Sequence, residues 1–211
     1  MSFDVILPHL SYLTKQMNLK LLITVLAVTL LSFVLQFWQP HLIYVRETVI
    51  GGEFWRILTA QFVHTNWPHY LLNISSVWLF TLLFYNTINS KTFTINLFLL
   101  AMAVGISLHL WQPTILWYAG LSGAIYGLFL VGAYSAIKAK DKLLGYGTAA
   151  LIIGKIAYDE WAGPLHDNSA LIEARVVTEA HVYGVCAALV LISLSATYQA
   201  LQSRSNKHIN T

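Results

Sequence analysis

Long apolar segments without any charged residue make up most of the chain. Asp, Glu, Lys and Arg are absent from residues 21–45, 57–90, 92–137 and 180–203. A bilayer core about 30 Å thick needs roughly 20 apolar residues of helix, so each segment is long enough for at least one membrane span. The segment 92–137 is interrupted by Gln112-Pro113 and can hold two spans and a loop.

These runs and the turn residues between them predict an all-α integral membrane protein with six transmembrane helices. The predicted spans are 19–38, 69–87, 93–111, 121–138, 143–161 and 177–200. The first run shows no small-residue cleavage pattern at its end, so it is interpreted as a retained span rather than a signal peptide. We expect one membrane domain over residues 1–211 with both termini on the same side.

Composition agrees with this interpretation. Hydrophobic residues make up 57% and charged residues 10% of the chain, against roughly 45–50% and about 25% in soluble domains. A water-soluble globule is therefore excluded. The net charge of +3 is too small and too scattered for a nucleic-acid surface. The single cysteine, Cys186, excludes an intrachain disulfide, and we predict no cofactor.

The basic residues that flank the spans predict the orientation of the chain. One side carries Lys15, Lys20, Lys91, Lys138, Lys140, Lys142, Arg204 and Lys207, and the other carries only Arg46, Arg56 and Arg175. The first side, with both termini, is predicted to be cytoplasmic, most simply in a bacterial inner membrane. An aromatic belt is predicted at the outer ends of the spans from Trp38, Trp55, Trp67, Trp111, Trp117 and Trp161.

Three polar clusters stand at the outer starts of spans two, four and six. The first contains His69 and Asn73, which share a helix face, with His64 just upstream. The second is 120–123, Gly-Leu-Ser-Gly, and the third is 179–184, Glu-Ala-His-Val-Tyr-Gly. Because all three spans run from outside to inside, the clusters lie at one depth and can form one pocket.

The residue types in this pocket suit acyl transfer. Ser122 is a weak nucleophile until a base takes its proton, and His181 is the available base. His69, Asn73 and the backbone N–H of Ser122 can donate to a developing oxyanion. Tyr126, one helical turn after Ser122, can stack on the imidazole.

Small residues predict that spans four and six pack closely. Gly123 and Gly127 form a G-x-x-x-G pattern, and His181, Gly184 and Ala188 share one face of span six. Close packing would bring the serine and the histidine within hydrogen-bond distance.

Other interpretations remain open at this point. His69 and His181 can be polar groups that hold helices together, or His64, His69 and His181 can bind zinc, although no carboxylate or thiolate completes that site. In span five, Lys155 can pair with Asp159 or snorkel to an interface, and we interpret it as structural. His109 is interpreted as an interfacial histidine because no polar cluster lies beside it.

The same residues resemble the motifs of the rhomboid intramembrane serine proteases. The pattern consists of Trp55-Arg56, His64, His69-x-x-x-Asn73, Gly120-x-Ser122-Gly123 with Tyr126, and Ala180-His181-x-x-Gly184. The resemblance implies a six-helix protease in which Ser122 is the nucleophile and His181 the base. It also implies that His69 and Asn73 form the oxyanion hole and that Tyr126 stacks on His181.

The local sequence at 51–59, 64–69 and 178–181 is similar to that of one subfamily, the rhombosortases. That resemblance implies a membrane-anchored substrate, an exported protein whose C-terminal tail carries a Gly-Gly motif, a transmembrane helix and basic residues. The chain departs from many rhomboids at Ala188, where a second glycine is expected.

Three functions follow as hypotheses. The leading one is an endopeptidase that cleaves a transmembrane segment near the outer face of the membrane. The alternative is a catalytically inactive relative that binds or escorts membrane helices. A transporter or channel is a third, less favoured because its polar residues should cross the whole bilayer.

Overall fold

The computed structural model describes residues 19–162 and 166–209, without the side chains of 162, 166–168 and 204–209. Its elements in chain order are α1 (Leu19–Gln36), α2 (Gln39–Leu42), β1 (Tyr44–Val45), α3 (Arg46–Ile50), α4 (Arg56–Thr59), α5 (Trp67–Phe84), α6 (Ser90–Trp111), β2 (Trp117–Tyr118), α7 (Ser122–Lys138), α8 (Lys142–Ala162), α9 (His166–Ile172) and α10 (Thr178–Ile209). Lys15 and the beginning of the predicted domain, 1–18, lie outside the described residues, as do the side chains of Arg204 and Lys207.

Each predicted span corresponds to one long helix, with differences at the ends. Helix α5, which corresponds to the second predicted span, starts at Trp67 and not at residue 69. It starts earlier because the Asn66 side chain caps it by accepting a hydrogen bond from the backbone N–H of His69 at 2.9 Å. The last helix continues to Ile209, past the predicted end at 200. Polar residues can continue a helix beyond its apolar part, which hydropathy alone does not detect.

The protein is embedded in a membrane, and its helices differ in how apolar they are. Within the described residues, α1, α6 and the part of α10 from Thr178 to Ser203 are long and apolar enough to cross a bilayer by length and composition. Two of the other long helices differ from these three. Helix α5 carries the polar residues His69 and Asn73, and α7 has only 17 residues. The count of six spans therefore remains a prediction.

Helix α7 forms the centre of the bundle. Ten of its 17 residues are buried, and it packs against α5, α6, α8 and α10. Its small residues allow this crowding: a Cβ on Gly132 would come within 2.7 Å of the Phe80 and Phe84 rings. By contrast, α1 is peripheral and buries only Leu21, Val25 and Ser32.

The long connection between α1 and α5 is ordered by polar contacts rather than by apolar packing alone. Strand β1 pairs antiparallel with β2, with Tyr44 opposite Tyr118. The Arg46 guanidinium donates to the carbonyls of Leu108, His109 and Gln112. Leu108 and His109 lie in the last turn of α6 and Gln112 follows it, so a cation at this helix end is favourable.

One expectation about a side chain needs correction. His109 does have a polar neighbour, since its Nδ1 lies 3.0 Å from the Tyr44 hydroxyl. The sequence could not indicate this contact because Tyr44 is 65 residues away. The six tryptophans of the predicted belt are all exposed, as membrane-interface anchors should be: Trp38, Trp55, Trp67, Trp111, Trp117 and Trp161.

Candidate active site

Ser122 and His181 meet at the contact between α7 and α10. Ser122 is the first residue of α7, and His181 lies in the first turn of α10. Ser122 Oγ and His181 Nε2 are 3.0 Å apart, which is hydrogen-bond distance for a serine and its base. His181 is buried, with 6% of its surface exposed.

Tyr126 fixes the plane of the histidine ring. The Tyr126 and His181 rings are stacked, with centroids 4.2 Å apart and planes inclined by 5°. Because residues four apart lie on one helix face, the same turn of α7 carries both Ser122 and this ring. The imidazole is therefore held between a hydroxyl at its Nε2 and an aromatic face.

Glycines bring α7 and α10 close enough for this contact. A Cβ on Gly184 would lie 1.8 Å from the carbonyl oxygen of Gly123, and one on Gly127 would lie 2.4 Å from that of Gly184. A Cβ on Gly123 would lie 2.7 Å from the carbonyl oxygen of Ala180. Ala188 is fully buried, so the departure from glycine there is accommodated.

His69 and Asn73 approach the same place from α5. The structure has a cleft of about 440 Å³ whose lining includes Ser122, His181, His69, Asn73 and Tyr126. The Asn73 amide donates to the His69 carbonyl oxygen at 3.1 Å. The cleft thus brings together a hydroxyl, an imidazole and side chains that can donate hydrogen bonds.

Gly120 lets the chain pass against the His69 ring. Its φ is +131°, in the region that favours glycine, and a Cβ there would lie 2.7 Å from His69 Cε1. Its N–H donates to the Ala60 carbonyl oxygen at 2.9 Å. This contact sets the position of the loop that leads into Ser122.

The other predicted supporting residues lie outside the cleft. His64 is fully buried behind His69, with ring centroids 5.1 Å apart. Arg56 is buried, forms an ion pair with Glu53 and donates to the carbonyls of Pro40 and Ile43. Trp55 is exposed. These residues organise the first loop and do not line the cleft.

The predicted zinc alternative gains no support. Among the side chains that the structure describes, no group of three His, Cys, Asp or Glu is placed to hold a metal ion.

The segment at the end of α9 borders the mouth of the cleft. Thr65 Oγ donates to the Ile172 carbonyl oxygen at 2.6 Å, and the Asn66 amide donates to that of Leu171 at 3.0 Å. Ile172 is itself part of the cleft wall. One rim of the cleft is therefore formed by two segments that lie more than 100 residues apart in sequence.

Two features of the structure were not predicted. Tyr118 is buried beside the loop before α7, where its hydroxyl donates to the Gly120 carbonyl oxygen at 2.8 Å, and burial raises its pKa. Asp159, paired with Lys155 as predicted, faces inward and not toward lipid. Neither feature leaves a sequence signal. The burial of Tyr118 depends on the path of a loop, and the inward direction of Asp159 depends on how α8 is rotated about its axis.

Comparison with known proteins points to one family. The family model described as Rhomboid domain matches residues 51–197. The chain is also 26% identical over 153 residues to "Putative rhomboid protease YdcA" of Bacillus subtilis (strain 168), with 69% of this chain and 73% of that protein covered. The matched range contains every residue described above as lining the cleft.

Proposed function

The chain belongs to the rhomboid family, and from that premise we propose that it is an intramembrane serine endopeptidase. Ser122 is the nucleophile and His181 the general base. The observation that carries the proposal is the 3.0 Å contact between Ser122 Oγ and His181 Nε2 inside a cleft. A hydroxyl, a base and oxyanion donors at one depth are what acyl transfer requires.

The reaction proceeds in two halves. Ser122 Oγ attacks the scissile carbonyl carbon as its proton moves to His181 Nε2, and His181 then protonates the leaving amine. Water hydrolyses the resulting acyl-enzyme with His181 again as the base. During each half the oxyanion is stabilised by His69, Asn73 and the N–H of Ser122, a backbone donor at the start of α7.

We further propose the following membrane arrangement. The six long helices α1, α5, α6, α7, α8 and α10 all span the bilayer of a bacterial inner membrane, with both termini in the cytoplasm. The cleft then opens toward the periplasmic side. The excess of basic residues at the opposite ends of the helices supports this orientation.

The substrate class follows from the depth of the cleft and from the resemblance to rhombosortases. We propose that a transmembrane helix enters and unwinds near the outer face, because helical carbonyls are hydrogen-bonded and shielded. A Gly-Gly motif before the helix of an exported protein would make unwinding easier.

Labelling by a fluorophosphonate probe tests the activated serine. We expect the purified chain to be labelled, and Ser122→Ala and His181→Ala to abolish both labelling and cleavage of a transmembrane reporter substrate. Ser75→Ala, at an exposed position on α5, is the matched control and should behave as the unmodified chain.

The result that would contradict the proposal is equally direct. Labelling or turnover that survives in Ser122→Ala or His181→Ala, with the fold retained, would exclude this mechanism. A folded but unlabelled chain would favour the catalytically inactive alternative that binds or escorts membrane helices.

A further inference from the structure

A second cavity lies at the end of the bundle opposite Ser122. It has a volume of about 560 Å³ and is lined by residues from the start of α6, the end of α7 and the later part of α10. Lys138, in its wall, is the last residue of α7, and Ser122 is the first. The whole length of α7 therefore separates this cavity from the candidate active site, and the two linings share no residue.

The lining combines hydroxyl and amide groups with a single cation. The polar members that the argument uses are Thr92, Asn96, Tyr134, Lys138, Ser195 and Gln199. Apolar residues complete it, among them Val131, Leu191 and Ile192, and no acidic residue is among the described residues that line it. A ligand with an anionic, hydrogen-bonding part and an apolar part would match this lining.

Lys138 is positioned by its neighbours without losing its charge. Its Nζ lies 5.8 Å from the centroid of the Tyr134 ring and donates a hydrogen bond to the side-chain oxygen of Gln199. Gln199 in turn donates to Ser195 Oγ at 3.1 Å. Lys138 forms no ion pair with a carboxylate among the described residues. An ammonium has three N–H donors, so Lys138 can still donate to an anion.

The nearest acidic residue in sequence is used elsewhere. Asp141, in the turn between α7 and α8, accepts a hydrogen bond from the backbone N–H of Leu144 at 3.2 Å. It thereby caps the start of α8. The charge at this cavity is therefore positive.

The depth of the cavity matches the level of lipid headgroups. Helix α6 and the part of α10 from Thr178 to Ser203 are long and apolar enough to cross a bilayer. The cavity takes Thr92 and Asn96 from the first two turns of α6 and residues within 191–199 from α10. A spanning helix leaves the hydrocarbon core at its ends, so the cavity lies near the phosphate groups of one leaflet.

The surroundings of the cavity fit both parts of a phospholipid. Exposed lysines follow one another at this end of the helices, at Lys91, Lys140 and Lys142, and such clusters attract anionic headgroups. Beside the cavity, the apolar side chains of Ile95 on α6 and Leu194 on α10 are exposed, as expected of residues that face acyl chains.

We propose that this cavity binds the headgroup of an anionic phospholipid, whose phosphate accepts a hydrogen bond from Lys138. The Tyr134 hydroxyl, which has no hydrogen-bond partner among the described residues, is a second donor. A zwitterionic headgroup fits less well because the lining offers no carboxylate for its cationic group. A free phosphate would leave the apolar part of the lining uncovered.

Thermal unfolding of the purified full chain in dodecyl maltoside tests the proposal. Dioleoyl phosphatidylglycerol, dioleoyl phosphatidylcholine and inorganic phosphate are titrated separately. A ligand that binds only the folded state raises the unfolding temperature as its concentration exceeds its Kd. We expect a saturable rise with phosphatidylglycerol, a smaller one with phosphatidylcholine and none with inorganic phosphate.

Variants locate the binding at the cavity. Lys138→Met should weaken the apparent Kd for phosphatidylglycerol about 5-fold, and Lys138→Arg, which keeps the charge, should bind as the unmodified chain does. Lys142→Met is the matched control, because it removes an exposed charge from the same end but outside the cavity; its Kd should not change. Tyr134→Phe, which removes only a hydroxyl, should weaken the Kd roughly 2- to 10-fold and serves if Lys138→Met folds poorly.

Four outcomes would overturn the proposal. Equal stabilisation by the two lipids would remove the preference for an anion, and the same rise with inorganic phosphate would make the ligand a free anion. An unchanged Kd in both Lys138→Met and Tyr134→Phe would place the lipid elsewhere. Equal weakening in Lys142→Met and Lys138→Met would indicate general surface charge. None of these measurements depends on Ser122 or His181, so the proposed function stands or falls separately.

Discussion

At the scale of single residues, Asn73 offers a graded test of the oxyanion hole. One of its amide hydrogens is used by the His69 carbonyl oxygen, and an amide has two. We propose that the second donates to the oxyanion. We expect Asn73→Ala to lower kcat/KM by roughly 10- to 1000-fold, measured with a transmembrane reporter substrate in proteoliposomes.

The control for this prediction is Ser75→Ala, which alters an exposed side chain two residues away on the same helix. An Asn73→Ala enzyme with an unchanged rate would remove Asn73 from the site. A loss matched by a lower thermal stability would point to packing.

A second prediction for a single residue concerns His64 and the way the stability of the protein depends on pH. Burial first, and the neighbouring His69 second, lower the pKa of His64 to about 3, against about 6.5 in the unfolded chain. Below pH 6.5 only the unfolded state takes up the proton, so stability falls as pH falls. Between pH 7 and pH 5, this single group should lower the free energy of unfolding by about 2 kcal/mol.

Thermal unfolding in detergent at the two pH values tests this expectation. His64→Gln should lose less stability than the unmodified chain on acidification, whereas His41→Gln, at an exposed position, should lose as much. Equal losses for His64→Gln and the unmodified chain would mean that His64 titrates normally when folded.

The residues that could be predicted from sequence are those whose geometry is local to one helix. The positions of Tyr126 one turn after Ser122, of Asn73 one turn after His69, and of Lys155 beside Asp159 follow from helical spacing alone. What could not be predicted is the direction in which α8 turns that ion pair, because the rotation of a helix is decided by packing against its neighbours.

At the scale of helices, the contact between α7 and α10 sets the distance between Ser122 and His181. Gly184→Ala would place a Cβ within 1.8 Å of the Gly123 carbonyl oxygen, so the helices must separate. We expect a loss of about 1–3 kcal/mol of stability and at least a 10-fold loss of fluorophosphonate labelling, because the distance from Ser122 Oγ to His181 Nε2 must increase.

Gly154→Ala is the matched control, since no atom lies within 4 Å of a Cβ built there. Alanine is the better helix former by about 1 kcal/mol, so this variant should be as stable as the unmodified chain or more so, with full labelling. Full labelling of Gly184→Ala would show that the dyad tolerates separation of the helices.

Helices could be predicted from sequence better than the connections between them. Apolar runs indicated all six long helices, and the small residues of α7 and α10 indicated their close approach. The first loop could not be predicted in detail, because β1 pairs with β2 and Arg46 binds the end of α6 through contacts more than 60 residues apart. In the structure this loop contains short helices and strand β1, and Arg56 donates to the carbonyls of Pro40 and Ile43.

At the scale of the whole molecule, the orientation in the membrane decides where cleavage takes place. Glu173 lies beside the cleft, next to Ile172 and Ala174 of its wall, and Lys140 lies in the turn between α7 and α8, at the other end of α7 from Ser122. Both are exposed, and both have positive φ. They form a matched pair of reporter positions for the two sides of the bilayer.

We expect Glu173→Cys, in a Cys186→Ala background, to react with a membrane-impermeant maleimide in intact spheroplasts. Lys140→Cys should react only after the membrane is opened, because Lys140 lies at the ends of the helices with the excess of basic residues, which are predicted to be cytoplasmic. The reverse pattern would place the cleft on the cytoplasmic side, where an exported substrate would meet it only before translocation. Reaction at the outer side alone is the result that lets the Ser122 cleft act on the tail of a protein already exported.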